Sequence, residues 1–268
     1  MLRFLALIAL GLATQRLAAQ ARSPGDPATG TAVLERMHAA YAGRWYTMLA
    51  FVQKTTFVKP GGERDTATWY ESFKGPDDMR IDFGDPRAGR GILFTAESSF
   101  AFREGHQARA GAEGNPFLPL VMGVYLQPVA ATVRGATHHG FDLTKTHRAA
   151  WDGRPVYVVG AATPADSTAP QFWVDADRLV VVRVRVPMRS GAGLLDIRLD
   201  GYVPVGGGWL ATRVSIAFEG KPLQVEEYTE WSDGVAIPDS LFERTRWVSG
   251  GHWAGGPRSA PLWHRAQN

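Results

Sequence analysis

A chain of 268 residues, 45% of them hydrophobic, is long enough to bury a full core without covalent staples. Its 29 Lys+Arg stand against 26 Asp+Glu with no basic run, which argues against a nucleic-acid binder. It has no cysteine, which excludes disulfides, thiolate metal sites, cysteine nucleophiles and lipid attachment through an N-terminal cysteine.

Met1 to Ala21 reads as a cleavable signal peptide. Arg3 is a short basic start, Phe4 to Ala13 an apolar stretch too short to span a bilayer, and Ala18, Ala19 and Ala21 supply a small-residue cleavage site. Loss of this segment removes Arg3 and Arg16 and no acid, leaving 27 basic against 26 acidic residues. The remaining organisation is a flexible linker over 22–30, one domain over 31–245 and an irregular Gly/Pro/Trp-rich tail over 246–268. No later stretch is long and apolar enough to be a membrane-spanning helix.

Val33, Leu34, Met37 and Tyr41 fall at helical spacing, and Gly43 gives the stop, so Thr31 to Ala42 is predicted as a helix. From Trp45 the period changes to two. Strands are expected from Trp45 to Val58, Thr66 to Phe73 and Met79 to Phe83, the last half-exposed through Arg80 and Asp82. Gly91–Thr95 and Ser99–Arg103 read as a hairpin. Gly105 to Asn115 is polar and Gly-rich and reads as a loop. Pro116 to Tyr125 is apolar at helical spacing, with Pro128 beyond its end, and Ala130 to Gly140 extends this helical insert. Strands resume at Asp142–Ala150, Arg154–Ala161, Gln171–Val174, Leu179–Val186, Leu194–Val203, Trp209–Phe218 and Leu223–Trp231. About ten or eleven closely spaced strands, with no alternating βα pattern, point to a mainly β, meandering antiparallel architecture.

The search for catalytic signals is negative. G-x-S-x-G, H-E-x-x-H, the P-loop and G-x-G-x-x-G are all absent, so a hydrolase of envelope substrates is the weakest reading. His138-His139 is the one histidine pair, and neighbours on a strand would point to opposite faces, unsuited to one metal ion. No enzyme activity, cofactor, metal or nucleic acid is expected. Aromatic residues are more suggestive, because Phe51, Trp69, Phe73, Phe83, Phe94, Phe100 and Phe102 recur on successive strands. They fit either plain core packing or a concave apolar face that binds a hydrophobic ligand.

In its order of short motifs the chain resembles the periplasmic lipoprotein-sorting proteins of the LolA/LolB-like superfamily. The resemblance runs from about Thr31 to Arg244. It is carried by Phe51-Val52-Gln53-Lys54 on an early strand, and by Phe73-Lys74-Gly75-Pro76 before Met79-Arg80-Ile81-Asp82-Phe83. Asn115-Pro116-Phe117 opens an insert where that family has its lid helices. Phe172-Trp173-Val174-Asp175, Trp209-Leu210-Ala211-Thr212-Arg213 and Ile237-Pro238-Asp239-Ser240-Leu241-Phe242 follow in the family's order. The resemblance implies an incomplete antiparallel β-barrel covered by helices. It implies a non-enzymatic periplasmic carrier of lipid or acylated lipoprotein, with sorting partners at the inner and outer membranes. The expected cleft and lid residues are Phe51, Trp69, Phe73, Ile81, Phe83, Phe94, Phe100, Phe102, Phe117, Leu120, Val121 and Val124. Where some members carry an arginine associated with lid control, this chain has Gly75, so apolar contacts would have to hold the lid. The other reading is a structural or interaction module with a packed sheet and no cavity.

Overall fold

The computed structural model describes residues 25–188, 193–256, 258 and 262–266. The expected signal peptide and the first residues of the linker lie outside them. From residue 25 the linker is packed. Asp26, at the sheet surface, accepts from Arg148 Nη1 at 3.1 Å, and Thr29 caps helix α1 (Gly30–Tyr41) by accepting from the Ala32 N–H. Val33, Leu34 and Met37 turn the buried face of α1 into the core.

Six strands follow in order: β1 (Met48–Val58), β2 (Arg64–Lys74), β3 (Asp78–Phe83), β4 (Gly91–Phe94), β5 (Ser99–Arg103) and β6 (His106–Gly111). The helical insert consists of α2 (Leu118–Val121), a 3-10 turn (Gly123–Tyr125) and α3 (Val129–His138). Seven more strands return: β7 (Thr146–Trp151), β8 (Arg154–Val159), β9 (Gln171–Asp175), β10 (Val181–Pro187), β11 (Leu194–Val205), β12 (Gly208–Phe218) and β13 (Lys221–Ser232). Each pairs antiparallel with its neighbour, and β13 closes onto β1 with Phe51 opposite Trp231 and Thr55 opposite Glu226. The sheet order is β6-β5-β4-β3-β2-β1-β13-β12-β11-β10-β9-β8-β7, with β6 and β7 left as edges among the described residues. This is an incomplete antiparallel barrel.

Among the described residues the sheet has 14 strands, more than the expected ten or eleven; twelve of them fall on the segments named above. β6 falls in the segment expected to be a loop. Its side chains are exposed on both faces, so no apolar alternation marks it. The other unsignalled strand is β14 (His264–Arg265), which pairs with β13. Trp45 and Tyr46 lie before β1, where Trp45 stacks on Tyr125 of the insert at 3.7 Å.

Strand β1 is buried on both faces from Leu49 to Val52, where simple alternation would bury one. Leu49 and Phe51 belong to the main core under the helices, whereas Ala50 and Val52 pack with Ile237, Leu241, Trp253 and Trp263. The segment after β13, of which 246–268 is expected to be an irregular tail, is thus the cover of the outer sheet face. Its regular structure is confined to 3-10 turns and β14, but its tryptophans are buried.

A buried charge network fastens this cover. Arg80 and Asp82, expected to be half-exposed, are both buried on the outer face of β3. Arg80 Nε and Nη2 each donate to one Asp82 oxygen at 2.8 Å. Nη1 donates to the Leu241 carbonyl at 3.0 Å and Nη2 to the Trp247 carbonyl at 2.8 Å, and the guanidinium lies 3.8 Å from the centre of the Trp247 ring. His252 Nδ1 accepts from the Ala254 N–H, which leaves Nε2 to donate to Asp82 at 3.0 Å. Removing one member of such a pair strands the other charge in a dry site. Asp82→Ala is therefore expected to lower the unfolding free energy by about 3–5 kcal/mol, measured by urea titration, and to expose Trp247 to fluorescence quenchers.

Candidate functional site

Between the inner sheet face and the insert lies a cavity of about 310 Å³. The early strands contribute Trp69, Glu71, Met79, Ile81, Phe83, Ile92 and Phe94 to its wall. The late strands contribute Ile197, Leu199, Val214, Ile216, Glu226 and Tyr228. The insert covers it with Asn115, Phe117, Leu118, Val121 and Met122. Asn115 Oδ1 accepts from the Phe117 N–H at 2.9 Å and so sets the start of the cover. The volume is at the small end of the roughly 300–1,000 Å³ usual for ligand pockets. A larger groove of about 560 Å³ lies on the outer face, beside Arg80 and His252. Arg80, Trp247 and His252 of the network that holds the tail line one part of it, and Thr68, Tyr70, Asp85 and Arg87 another.

Six of the twelve expected residues meet at the inner cavity: Trp69, Ile81, Phe83, Phe94, Phe117 and Val121. Phe51, Phe73, Leu120 and Val124 are buried in the surrounding core, Phe51 stacked on Tyr228 at 4.6 Å. Phe100 and Phe102 require correction, because they lie on the outer face. Phe94 pairs with Ser99 and Ile92 with Ala101, so the hairpin register turns Phe100 and Phe102 away from Phe94. Phe102 stacks on Trp247 at 4.0 Å, and Gly91 opposite it leaves the space that ring needs. The insert is also not one helix from Pro116 to Tyr125. It breaks at Met122, so Phe117 and Val121 face the cavity while Val124 and Tyr125 anchor the insert. Tyr125 donates to the Leu179 carbonyl at 2.8 Å, and His38 Nδ1 meets the Val124 carbonyl at 2.9 Å. His138 ends α3 and His139 caps it, rather than lying on a strand.

The sequence reading missed the polar floor. Glu71 on β2 and Glu226 on β13 flank β1 on its two sides and face the same cavity. Glu71 is 2% exposed, and burial, with Glu226 as the lesser cause, pushes its carboxyl well above the usual range. Burial raises Glu226 to about 7, against hydrogen bonds from Gln224 (2.6 Å) and Gln53 that favour its charged form. Gln53, 1% exposed, donates to Thr55 Oγ1 at 2.9 Å, but its own Oε1 has no partner. The signal available in sequence was parity. Glu71 shares the face of Trp69 and Phe73, and Glu226 that of Tyr228.

Three solved structures share this architecture. A DUF1329 family protein from Desulfovibrio piger superposes with a TM-score of 0.54 at 14% identity, over 80% of this chain and 95% of its own. A LolA superfamily protein from Nitrosomonas europaea gives 0.51 at 14% identity, over 81% and 98%. A domain from Vibrio parahaemolyticus, described as an outer membrane lipoprotein-sorting protein domain, gives 0.54 at 13% identity, over 82% and 98%. The fold is LolA-like. No family model matches the chain, and no curated protein matches it.

In this LolA-like fold, the turn after β2 and the insert pack unusually close. A Cβ on Gly75 would lie 2.3 Å from Leu126 Cδ1, and one on Gly123 would lie 3.1 Å from the Pro76 carbonyl. Leu126 thus packs directly over Gly75 at this turn. Gly75→Ala is expected to be absorbed by rotation of the Leu126 side chain. Gly75→Arg has to displace Leu126, and amide exchange over residues 118–126 should accelerate in that variant alone, read by hydrogen-exchange mass spectrometry.

Glu226 also makes stability depend on pH. Its folded value of about 7 lies above the ordinary 4.5, so the folded state holds the proton more tightly than the unfolded chain. The contribution is fully present below about pH 4.5 and is lost as pH rises through 7, amounting to about 3 kcal/mol at most. Glu226→Gln should flatten the decline in melting temperature between about pH 5 and pH 8 relative to the parent chain.

Proposed function

We propose that this chain is a non-enzymatic periplasmic carrier or binder of lipid-like ligands, whose acyl chain occupies the cavity between the inner sheet face and the insert. The observation that carries this reading is the cavity itself. Apart from Glu71, Glu226, Asn115 and the Tyr228 hydroxyl, its lining is aliphatic, aromatic or thioether, and its cover is a broken, short-helix insert rather than a continuous strand layer. Carrying an acyl chain through water exposes about 0.8 kcal/mol per CH₂, so a carrier must enclose the chain yet release it. A cover built of short pieces suits that need, and a solidly packed module would leave no such space. The likeness to a lipoprotein-sorting domain supports acylated lipoprotein as cargo, and membrane-bound donors and acceptors as partners. The signal-peptide reading of Met1–Ala21 supports the periplasm. Among the described residues no helix is long and apolar enough to cross a membrane, and none of the acids and histidines cluster as a metal site.

Val121→Glu places a carboxylate among Phe117, Met122 and the sheet aromatics. It is expected to weaken binding of a fluorescent monoacylglycerol about tenfold or more, while circular dichroism stays that of the parent. Unchanged affinity would place the acyl chain elsewhere and defeat this reading.

A further inference from the structure

The polar floor of the cavity is made of two acids, Glu71 and Glu226, with the Tyr228 hydroxyl and the Asn115 amide as donors in its lining. Glu71 is 2% exposed, lines the cavity and makes neither a hydrogen bond nor an ion pair among the described residues. Gln53, beside it on β1, is 1% exposed and its Oε1 accepts from nothing. Glu226 receives hydrogen bonds only from the Gln224 and Gln53 amides. Among the described residues no lysine, arginine or histidine lines the cavity. A buried acceptor left without a donor is costly. This chain keeps the two acids together at one place, under an otherwise apolar wall. An occupant that brought donors and positive charge would supply Glu71 with the donor it lacks and add a charged partner to Glu226. An occupant ending in a carboxylate or phosphate would set an anion beside two acids, with the Tyr228 hydroxyl and the Asn115 amide to donate to it.

We propose that the cavity selects amphiphiles whose polar end is a cationic amine, the ammonium seated between Glu71 and Glu226 and the apolar body lying against Trp69, Phe83, Phe94 and Phe117. This rests on the reading of the cavity as a lipid-like binding site and adds the charge of the end that enters deepest. The walls supply affinity for any apolar chain, and the two carboxyls supply discrimination between head groups. Seating the ammonium moves Glu71 and Glu226 toward their charged forms, so the cation and the two acids are stabilised together.

The test uses three probes of equal chain length, dodecylammonium, dodecanol and dodecanoate, below their aggregation concentrations. Each is titrated into the described protein by calorimetry at about pH 7.5 and low ionic strength. The cation is expected to bind about tenfold or more tighter than the anion, with the alcohol between. In Glu71→Gln/Glu226→Gln the two charged probes should come within about threefold of each other. Glu227→Gln removes an exposed acid on the opposite face of the same strand and should retain the full preference. Dodecanoate binding as tightly as dodecylammonium would overturn the inference while leaving the cavity a lipid site. A cation preference that survives the double substitution, or vanishes in Glu227→Gln, would mean general surface attraction and would also overturn it. Failure of all three probes to bind would overturn both this inference and the binding reading beneath it.

Discussion

The pairing of β1 with β13 is the constraint on which the rest of the molecule depends. It joins residues about 180 positions apart, such as Phe51 and Trp231, and turns two separate meanders into one curved sheet. Each meander alone would be an open sheet with half of the cavity wall. Joined through β1, they set Glu71 and Glu226 on either side of one strand, and Trp69, Phe83 and Phe94 across from Ile197, Val214 and Ile216. Neither half of the cavity exists without the other.

A single curved sheet has two apolar faces, and each needs a cover. The inner face takes α1 and the insert, and the outer face takes the segment after β13. The two covers are held by different physics. The outer one is locked by Arg80, whose donors are shared between Asp82 and the carbonyls of Leu241 and Trp247. The inner one rests on ring stacking of Trp45 with Tyr125, single hydrogen bonds to backbone carbonyls and the fit of Leu126 over Gly75. The outer layer therefore acts as a fixed brace. Any opening of the protein is directed to the insert.

Much of the fold was legible because strand alternation and Gly-rich turns are local signals. The order of the strands and the position of the insert could be read from them. What escaped depended on tertiary context. His106–Gly111 is an edge strand exposed on both faces and carries no alternation. Arg80 and Asp82 look like surface residues until the distant Trp247 and Leu241 close over them. Phe100 and Phe102 have the composition of a cavity wall but the wrong parity, and only the register with Gly91 and Leu93 reveals it. Glu71 and Glu226 were passed over for a related reason. Alone, each looks like a solvated strand acid, and only the β1–β13 pairing shows that both are enclosed.

That same pairing orders the events of folding. While β13 is unavailable, β1 can pair with β2 but presents its other edge, with Phe51 and Leu49 beside it, to whatever strand it meets first. Long-range pairings of this kind form late, because chain closure must come before any contact rewards it. For this protein the hazardous species is the half-sheet of β1 to β6 with its central strand uncovered. A chaperone that keeps β1 extended until β13 can be reached would protect the apolar edge that β1 presents in this half-sheet.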